Sequence, residues 1–157
     1  MTKNIWVVSD THFNHTNIIR YCNRPFSSIE EMNEKIIENW NKTVQPGDIV
    51  YHLGDFGYDY KIANRLIGRK RLILGNHDDA KNKDLLSAFQ KVLMWRMFPE
   101  FKLLLTHVPV HESSLGFKTE KNVHGHVHLN SVKDDRYINV CVEMIDYTPV
   151  NIETLRL

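Results

Sequence analysis

The chain has 157 residues, of which 42% are hydrophobic and 25% charged. This length allows a substantial buried core, and the sequence predicts a single domain over residues 1–157. The formal net charge of +1 excludes a strongly basic protein attracted generally to nucleic acid or anionic membranes. Two cysteines are too few for a disulfide framework. Because no apolar stretch approaches a membrane span and no secretion signal is visible, we expect a cytoplasmic protein.

The first half of the chain alternates predicted strands and helices. Apolar runs predict strands at residues 5–8, 49–53 and 71–74. Helices are predicted at residues 15–22, 29–40 and 60–67. The second helix has the clearest start, because Ser28 precedes Glu31 at the spacing of a capping box. Such alternation is typical of parallel βαβ units.

The second half contains more strands than helices. After a weakly helical segment at 84–90, strands are predicted at residues 91–98, 101–105, 137–142 and 150–155. A polar loop over residues 108–122 separates the second of these strands from the third. Strands in succession indicate a second sheet, so the predicted fold class is α/β with two sheets.

Five polar motifs follow apolar, strand-like runs. They contain Asp10 and His12, then Asp55, then Asn76, His77 and Asp78, then His107, and finally His126 and His128. In open α/β sheets the functional crevice lies beyond the carboxyl ends of the strands, so these side chains are expected to meet. Taken singly, each motif has an ordinary explanation as a turn or an exposed imidazole. Their joint occurrence favours a mixed oxygen and nitrogen site for two divalent metals that hydrolyses phosphoesters.

The series of motifs resembles the calcineurin-like metallophosphoesterases. Their signature is Asp-X-His, Gly-Asp, Gly-Asn-His-Asp/Glu, a separate His and Gly-His-X-His, and the resemblance here runs from Asp10 to His128. It implies the four-layer fold of that family, in which two mixed β-sheets pack as a sandwich with flanking helices.

The resemblance also implies roles for individual residues. The first metal would be held by Asp10, His12, Asp55 and His128. The second would share Asp55 and add Asn76, His107 and His126. His77 would contact the phosphate and protonate the leaving oxygen, while Asp78 would hold the His77 ring through a hydrogen bond. Manganese is the expected metal, and iron, nickel, cobalt or zinc suit the same ligands.

Two further residues are candidates for binding the substrate. His15 follows the first motif in the same loop, and Arg24 lies in a predicted rigid, exposed turn. The expected reaction is attack of a metal-bound hydroxide on a small phosphodiester or phosphomonoester, such as a nucleotide. Neither a membrane nor a nucleic acid is an expected partner, and the oligomeric state stays open.

Two alternatives share the same fold. One is a non-catalytic metal-binding scaffold for protein interaction, of which a retromer subunit is the precedent; that subunit lacks the catalytic histidine. The other is a nuclease, although nucleases of this family carry a capping domain and a basic DNA track that the sequence does not show.

Overall fold

The computed structural model describes residues 3–156, and its strands form two mixed sheets. In chain order they are β1 (Ile5–Val8), β2 (Ile49–His52), β3 (Arg69–Ile73), β4 (Lys91–Leu93), β5 (Trp95–Phe98), β6 (Leu103–Thr106), β7 (Lys121–His124), β8 (Tyr137–Asn139) and β9 (Val150–Asn151). The first sheet has the order β4-β3-β2-β1-β9, in which only β9 runs antiparallel to its neighbour. The second has the order β5-β6-β7-β8, in which β6, β7 and β8 are parallel and β5 is antiparallel.

Within residues 3–156, three α-helices and three short 3₁₀ segments connect the strands, and a fourth 3₁₀ segment follows the last strand. The helices are α1 (Thr16–Tyr21), α2 (Ile29–Thr43) and α3 (Lys83–Ala88). The 3₁₀ segments are Tyr60–Arg65, Glu112–Ser114, Val142–Met144 and Ile152–Leu155. No helix within residues 3–156 has the length and apolar character needed to cross a membrane.

The start of α2 is fixed by a variant of the predicted capping box, in which Glu31 bonds to the residue before the N-cap Ser28. Ser28 accepts a hydrogen bond from the backbone N–H of Glu31, and the Glu31 carboxylate accepts one from the N–H of Ser27. Further along, Trp40 is fully buried and its indole N–H donates to the carbonyl of Ile67 at 2.8 Å. Complete burial of one large apolar side chain contributes roughly 1.5–3 kcal/mol, so this face anchors the helix to the sheet.

Two hydrophobic cores separate the layers of the fold, one between the helices and the first sheet and one between the two sheets. The helices cover one face of the first sheet, where buried α2 side chains pack with Val8, Val50 and Leu72. The opposite face of that sheet packs on the second sheet, and this core is formed by Val7, Tyr51, Leu53, Ile73, Leu103, Leu105 and Val123. Because side chains alternate along a strand, Val7 and Val8 enter different cores. The sandwich of two mixed sheets with flanking helices is therefore confirmed.

The prediction of one strand over residues 91–98 is wrong. The chain leaves the first sheet after Leu93, which pairs with Ile73, and enters the second sheet at Trp95, which pairs with Thr106. The apolar pattern runs through Met94 without a break, so periodicity alone could not reveal the change of sheet. The predicted strands at 137–142 and 150–155 are also shorter, because each gives way to a 3₁₀ segment.

Candidate metal centre

The first group of candidate ligands gathers beyond β1 and β7. Asp10, His12 and His128 each offer a donor atom, and these atoms all lie within 4.8 Å of one another. Nε2 of His12 lies 3.6 Å from Oδ1 of Asp10, and Nε2 of His128 lies 3.7 Å from the same oxygen. Donors about 2.0–2.2 Å from one ion are about 3–3.6 Å apart, so the spacing matches ligands facing a common centre.

The second group lies beyond β2, β6 and β7. Donor atoms of Asp55, His107 and His126 again lie within 4.8 Å of one another. The side-chain oxygen of Asn76 is 2.8 Å from Nε2 of His107 and 3.0 Å from Nδ1 of His126. The other ring nitrogen of His107, Nδ1, lies 2.7 Å from the carbonyl of Leu53, which leaves Nε2 turned toward the group.

Asp55 stands between the two groups. Its Oδ2 atom lies 3.6 Å from Nε2 of His12 and 3.5 Å from Nε2 of His107. Its Oδ1 atom accepts a hydrogen bond from the backbone N–H of His77 at 2.9 Å, which fixes the carboxylate. The same carboxylate oxygen is therefore close to donor atoms of both groups.

Unsatisfied buried atoms provide a test of whether a metal fits here. Oδ1 of Asp10 and Nε2 of His12 are buried and have no hydrogen-bond partner among the described residues. An unpaired buried polar group costs about 1–3 kcal/mol, and more when it is charged. A cation between these atoms would satisfy both, so the donor set fits a divalent metal of intermediate softness.

The other oxygen of Asp10 is fully occupied. Oδ2 accepts hydrogen bonds from the hydroxyl of Ser9 and, at 2.9 Å, from the backbone N–H of His126. Burial opposes charge on Asp10, but these hydrogen bonds and the neighbouring histidines keep its pKa below the usual value. Asp10 therefore carries a negative charge that only Oδ1 can direct to a ligand.

The backbone at the candidate ligands is strained. Asp10, His12, Asp55, His126 and His128 all have φ between 52° and 71°. This left-handed region costs a non-glycine residue on the order of 1–3 kcal/mol, and such strain clusters at functional sites. Backbone hydrogen bonds from Asp10 to Gly54 and from His12 to Asp55, at 3.0 and 3.1 Å, help to impose it.

Close packing requires glycine beside two of the ligands. A Cβ atom added to Gly75 would collide with the carboxylate and backbone of Asp55, and one added to Gly125 would collide with Ser9 and Asp10. The glycines of these two motifs therefore let ligand loops from different strands touch.

Glu143 is a site residue that the sequence interpretation missed. Nδ1 of His128 lies 3.0 Å from the buried Oε1 of Glu143. Burial opposes protonation of His128, but hydrogen bonds with Cys22 and Glu143 and the charge of Asp10 raise its pKa to about 10. The available signal was an acidic residue just after an apolar run, the same pattern that identifies Asp10.

The expectation that Arg24 binds substrate from an exposed turn is contradicted. Its side chain is buried, and its guanidinium donates to the carbonyls of Asp10 and Thr11 at 2.7 and 2.8 Å. Two of its nitrogens also donate to Oε1 of Glu143, at 2.9 and 2.7 Å. Arg24 thus links the backbone of the first motif to the carboxylate of Glu143, and its donors do not face the solvent.

The expected role of Asp78 also needs correction. Among the described residues its carboxylate accepts from four donors, none of them the His77 ring. These are the backbone N–H groups of Asp55, Phe56 and Gly75 and the hydroxyl of Tyr60, at 2.8–3.2 Å. Asp78 instead links the loop after β3 to the loop that carries Asp55 by hydrogen bonds. Burial raises the pKa of its carboxyl group.

His77 and His15 lie at the mouth of the centre. The His77 ring is exposed and its centroid lies 5.7 Å from that of His12. His15 is partly buried, with Nδ1 3.2 Å from Nδ1 of His12 and its ring 4.8 Å from that of Tyr58. A cavity of about 580 Å³, here called the polar cavity, is lined by both residues together with His12, His126 and His128. His15 therefore contacts a candidate ligand and also faces the space where a substrate would enter.

Comparison with known proteins places the chain in a family. Residues 4–143 match the model of the calcineurin-like phosphoesterase superfamily domain. An uncharacterized protein from Methanocaldococcus jannaschii is 38% identical, over 98% of this chain and 89% of that protein. A protein of unknown function from Aquifex aeolicus has a similar crystal structure, with a TM-score of 0.78, 27% identity and 98% of both chains covered. An archaeal phosphodiesterase shares the fold, with a TM-score of 0.52, 20% identity and coverage of 88% of this chain and 82% of that one. The chain belongs to the calcineurin-like phosphoesterase superfamily.

Proposed function

We propose that this protein hydrolyses small phosphate esters with the help of two divalent metal ions. The observation that carries the proposal is the placement of Asp55 between two groups of donor atoms, 3.6 Å from one imidazole and 3.5 Å from another. One ion would be held by Asp10, His12, Asp55 and His128. The other would be held by Asp55, Asn76, His107 and His126.

Charge favours an anionic substrate at this position. Two divalent ions carry four positive charges, and Asp10 and Asp55 return two negative ones. When bound, the ions would lower the pKa of a water molecule and offset charge on the phosphate oxygens. The remaining surplus of positive charge is complementary to a phosphodiester or phosphomonoester.

We expect His77 to act on the leaving group. Its backbone N–H donates a hydrogen bond to Asp55. Its exposed ring lines the polar cavity, with its centroid 5.7 Å from that of His12. We expect this ring to hydrogen-bond the phosphate and to donate a proton to the leaving oxygen. A water molecule that has lost one proton to the solvent bonds through its oxygen to phosphorus as the ester P–O bond breaks, and the alcohol leaves neutral with the proton from His77. General acid catalysis of this kind contributes typically ~10²–10⁴-fold.

The proposal extends to the metal, the substrate class, the cellular location and the number of domains. Manganese is the metal we expect, and we expect a small phosphorylated substrate such as a nucleotide, acted on in the cytoplasm. A chain length within one ordinary domain is in keeping with the proposal of a single domain over the whole sequence.

Turnover of simple chromogenic esters tests the proposal. Protein loaded with Mn²⁺ should hydrolyse bis(p-nitrophenyl) phosphate or p-nitrophenyl phosphate, and a chelator should abolish the activity. Asp55→Asn should lose bound metal and activity together. Absence of turnover of these esters and of a nucleotide panel, in protein shown by elemental analysis to carry two ions, would instead favour the metal-binding scaffold.

A further inference from the structure

An apolar groove lies beside the candidate metal centre. Its volume is about 760 Å³, compared with about 580 Å³ for the polar cavity. Its apolar walls are formed mainly by Met94, Trp95, Met97, Leu104, Val108 and Val110. Pockets for organic ligands typically measure about 300–1,000 Å³, so the apolar groove is large enough for a substantial group.

The groove is built on the outer face of the second sheet. Leu103 and Leu105 point into the core between the sheets, so the intervening Leu104 faces outward into the groove. The opposite wall is held by two hydrogen bonds. The N–H of Val110 donates to Asn122 at 3.0 Å, and the hydroxyl of Tyr137 donates to the carbonyl of Val110 at 2.8 Å. The groove is therefore a preformed feature of the fold.

Its inner end opens on the candidate ligands. Asn76 and His107, whose donor atoms are 2.8 Å apart in the second group, both line the groove. A phosphate held between the two groups would therefore direct one of its substituents into this space. The polar cavity, which His77 lines, opens from the same centre and shares none of the groove's lining residues.

The chemistry of the walls points to an apolar occupant. Among residues 3–156, no lysine, arginine or glutamate lines the groove, and the one aspartate there, Asp78, is already paired with four donors. The hydroxyl of Thr106 is also paired, because it donates to Val108 and accepts from Asn122. Meanwhile Met94 and Trp95 remain 69% and 56% exposed. The other polar side chains of the lining are the candidate ligands Asn76 and His107 and the hydroxyls of Ser114 and Thr119. These few groups offer a sugar or a nucleobase edge little hydrogen bonding, whereas an alkyl chain needs none and gains by leaving water.

We propose that the substrate is a phosphodiester with one extended apolar substituent, and that the apolar groove binds this substituent. The proposal rests on the proposed phosphoesterase function. A diester has two substituents on phosphorus and the centre has two adjoining spaces. The leaving group occupies the polar cavity beside His77, and the apolar group, which stays on phosphorus, occupies the groove.

A series of esters with one common leaving group tests the assignment. The substrates are methyl, butyl and octyl p-nitrophenyl phosphate, assayed below their micellar concentrations with Mn²⁺-loaded protein. Each buried methylene group should raise kcat/KM by up to about fourfold. We expect at least about a 50-fold increase from methyl to octyl. Equal kcat/KM for the methyl and octyl esters would overturn the proposal.

Variants of the groove give the matched comparison. Trp95→Ser and Met97→Gln should each reduce the ratio of kcat/KM for the octyl ester to that for the methyl ester by about tenfold. Phe117→Ser is the control, because Phe117 is 87% exposed and does not line the groove. Loss of the octyl preference in all three variants would overturn the proposal. The groove would instead be a subunit interface if kcat/KM were equal for the three esters and Trp95→Ser converted a dimer to a monomer. That pair of results would also overturn the proposal.

Binding separates this inference from the function on which it rests. If the metal-loaded protein hydrolyses none of the three esters, nor p-nitrophenyl phosphate, bis(p-nitrophenyl) phosphate or the nucleotide panel, the proposed function fails. The groove is then decided by calorimetric titration with methyl phosphate and octyl phosphate. Tighter binding of octyl phosphate that is lost in Trp95→Ser supports the groove, and equal binding of the two phosphates overturns it.

Discussion

Nδ1 of His128 lies 3.0 Å from Oε1 of Glu143, whose side chain is buried, while the imidazole is partly exposed. A carboxylate at Nδ1 fixes the imidazole so that its proton sits on that nitrogen and Nε2 is free to bind a cation. The same Nε2 lies 3.7 Å from Oδ1 of Asp10. Glu143 therefore orients a candidate ligand that comes from a different part of the chain.

Replacing Glu143 by glutamine should weaken the first metal site. The neutral amide accepts a weaker hydrogen bond from His128, and loss of such a supporting carboxylate typically lowers metal affinity ~10–100-fold. Titration of the metal-free protein with Mn²⁺ measures the effect. Glu112→Gln is the control, since that exposed carboxylate pairs with Arg136 at 2.9 Å away from the candidate ligands. Equal affinity in the two variants would contradict the assigned role.

Arg24 should matter for stability and for the geometry of the site rather than for substrate contact. Removing one partner of a buried ion pair costs about 3–5 kcal/mol, so Arg24→Met should lower the free energy of unfolding by about that amount. Urea denaturation measures it, with the exposed Arg20→Met as control. A stable Arg24→Met protein with only a raised KM would restore the original interpretation of Arg24 as a substrate residue.

His77→Asn should slow the chemical step without removing metal. We expect kcat to fall by ~10²–10⁴-fold if the ring donates a proton to the leaving oxygen. The defect should be larger for a phenyl than for a p-nitrophenyl leaving group, because phenolate is the more basic and needs the proton more. Elemental analysis should find the same metal content as in the parent protein. An equal defect for both leaving groups would assign His77 to binding alone.

Asp78→Asn should damage the centre as a whole. The amide cannot accept from all of the four donors that Asp78 satisfies, so the loop that carries Asn76 should lose its place beside Asp55. We expect a lower melting temperature and reduced metal content, with Asp79→Asn, at an exposed position, as control. A selective loss of kcat at full metal content would instead indicate that Asp78 acts through His77.

Metal affinity should rise with pH. The pKa of His128 is raised from 6.5 to about 10 in the metal-free protein, so a metal must displace a proton from its ring throughout the neutral range. Apparent affinity should therefore increase up to ~10-fold per pH unit for each proton released. Conversely, the metal-free fold gains stability from protonated His128 at low pH and loses it as the pH rises from 6.5 toward 10. Mn²⁺ titrations at pH 6, 7 and 8 test the first point, and a pH-independent affinity would contradict it.

The sequence predicts the positions of the candidate ligands well because they depend on local pattern. Asp10 and Asp55 come just past parallel strands of the first sheet, and His107 comes just past a parallel strand of the second. The carboxyl ends of both sets of strands meet at the centre. Contacts across long separations have no such local signature. Glu143 and Arg24 are 119 residues apart in sequence. They meet because the segment around Cys141 pairs with Ser9, at the end of β1.

The change of sheet at Met94 was unpredictable for a related reason. An apolar run continues through it, so neither periodicity nor turn residues mark the point where the chain leaves β4 for β5. The apolar groove lies beside this crossing and is lined by Met94 and Trp95, and it was unpredictable for the same reason.

The left-handed backbone at five candidate ligands limits how the centre could be transplanted. A short peptide carrying Asp10 and His12 would relax to ordinary dihedral angles, because the hydrogen bonds to Gly54 and Asp55 come from a different loop. Grafting the five motifs onto another protein would therefore transfer the donor atoms without the backbone conformation that orients them. A working graft needs the interlocking loops and the strands beneath them as one block.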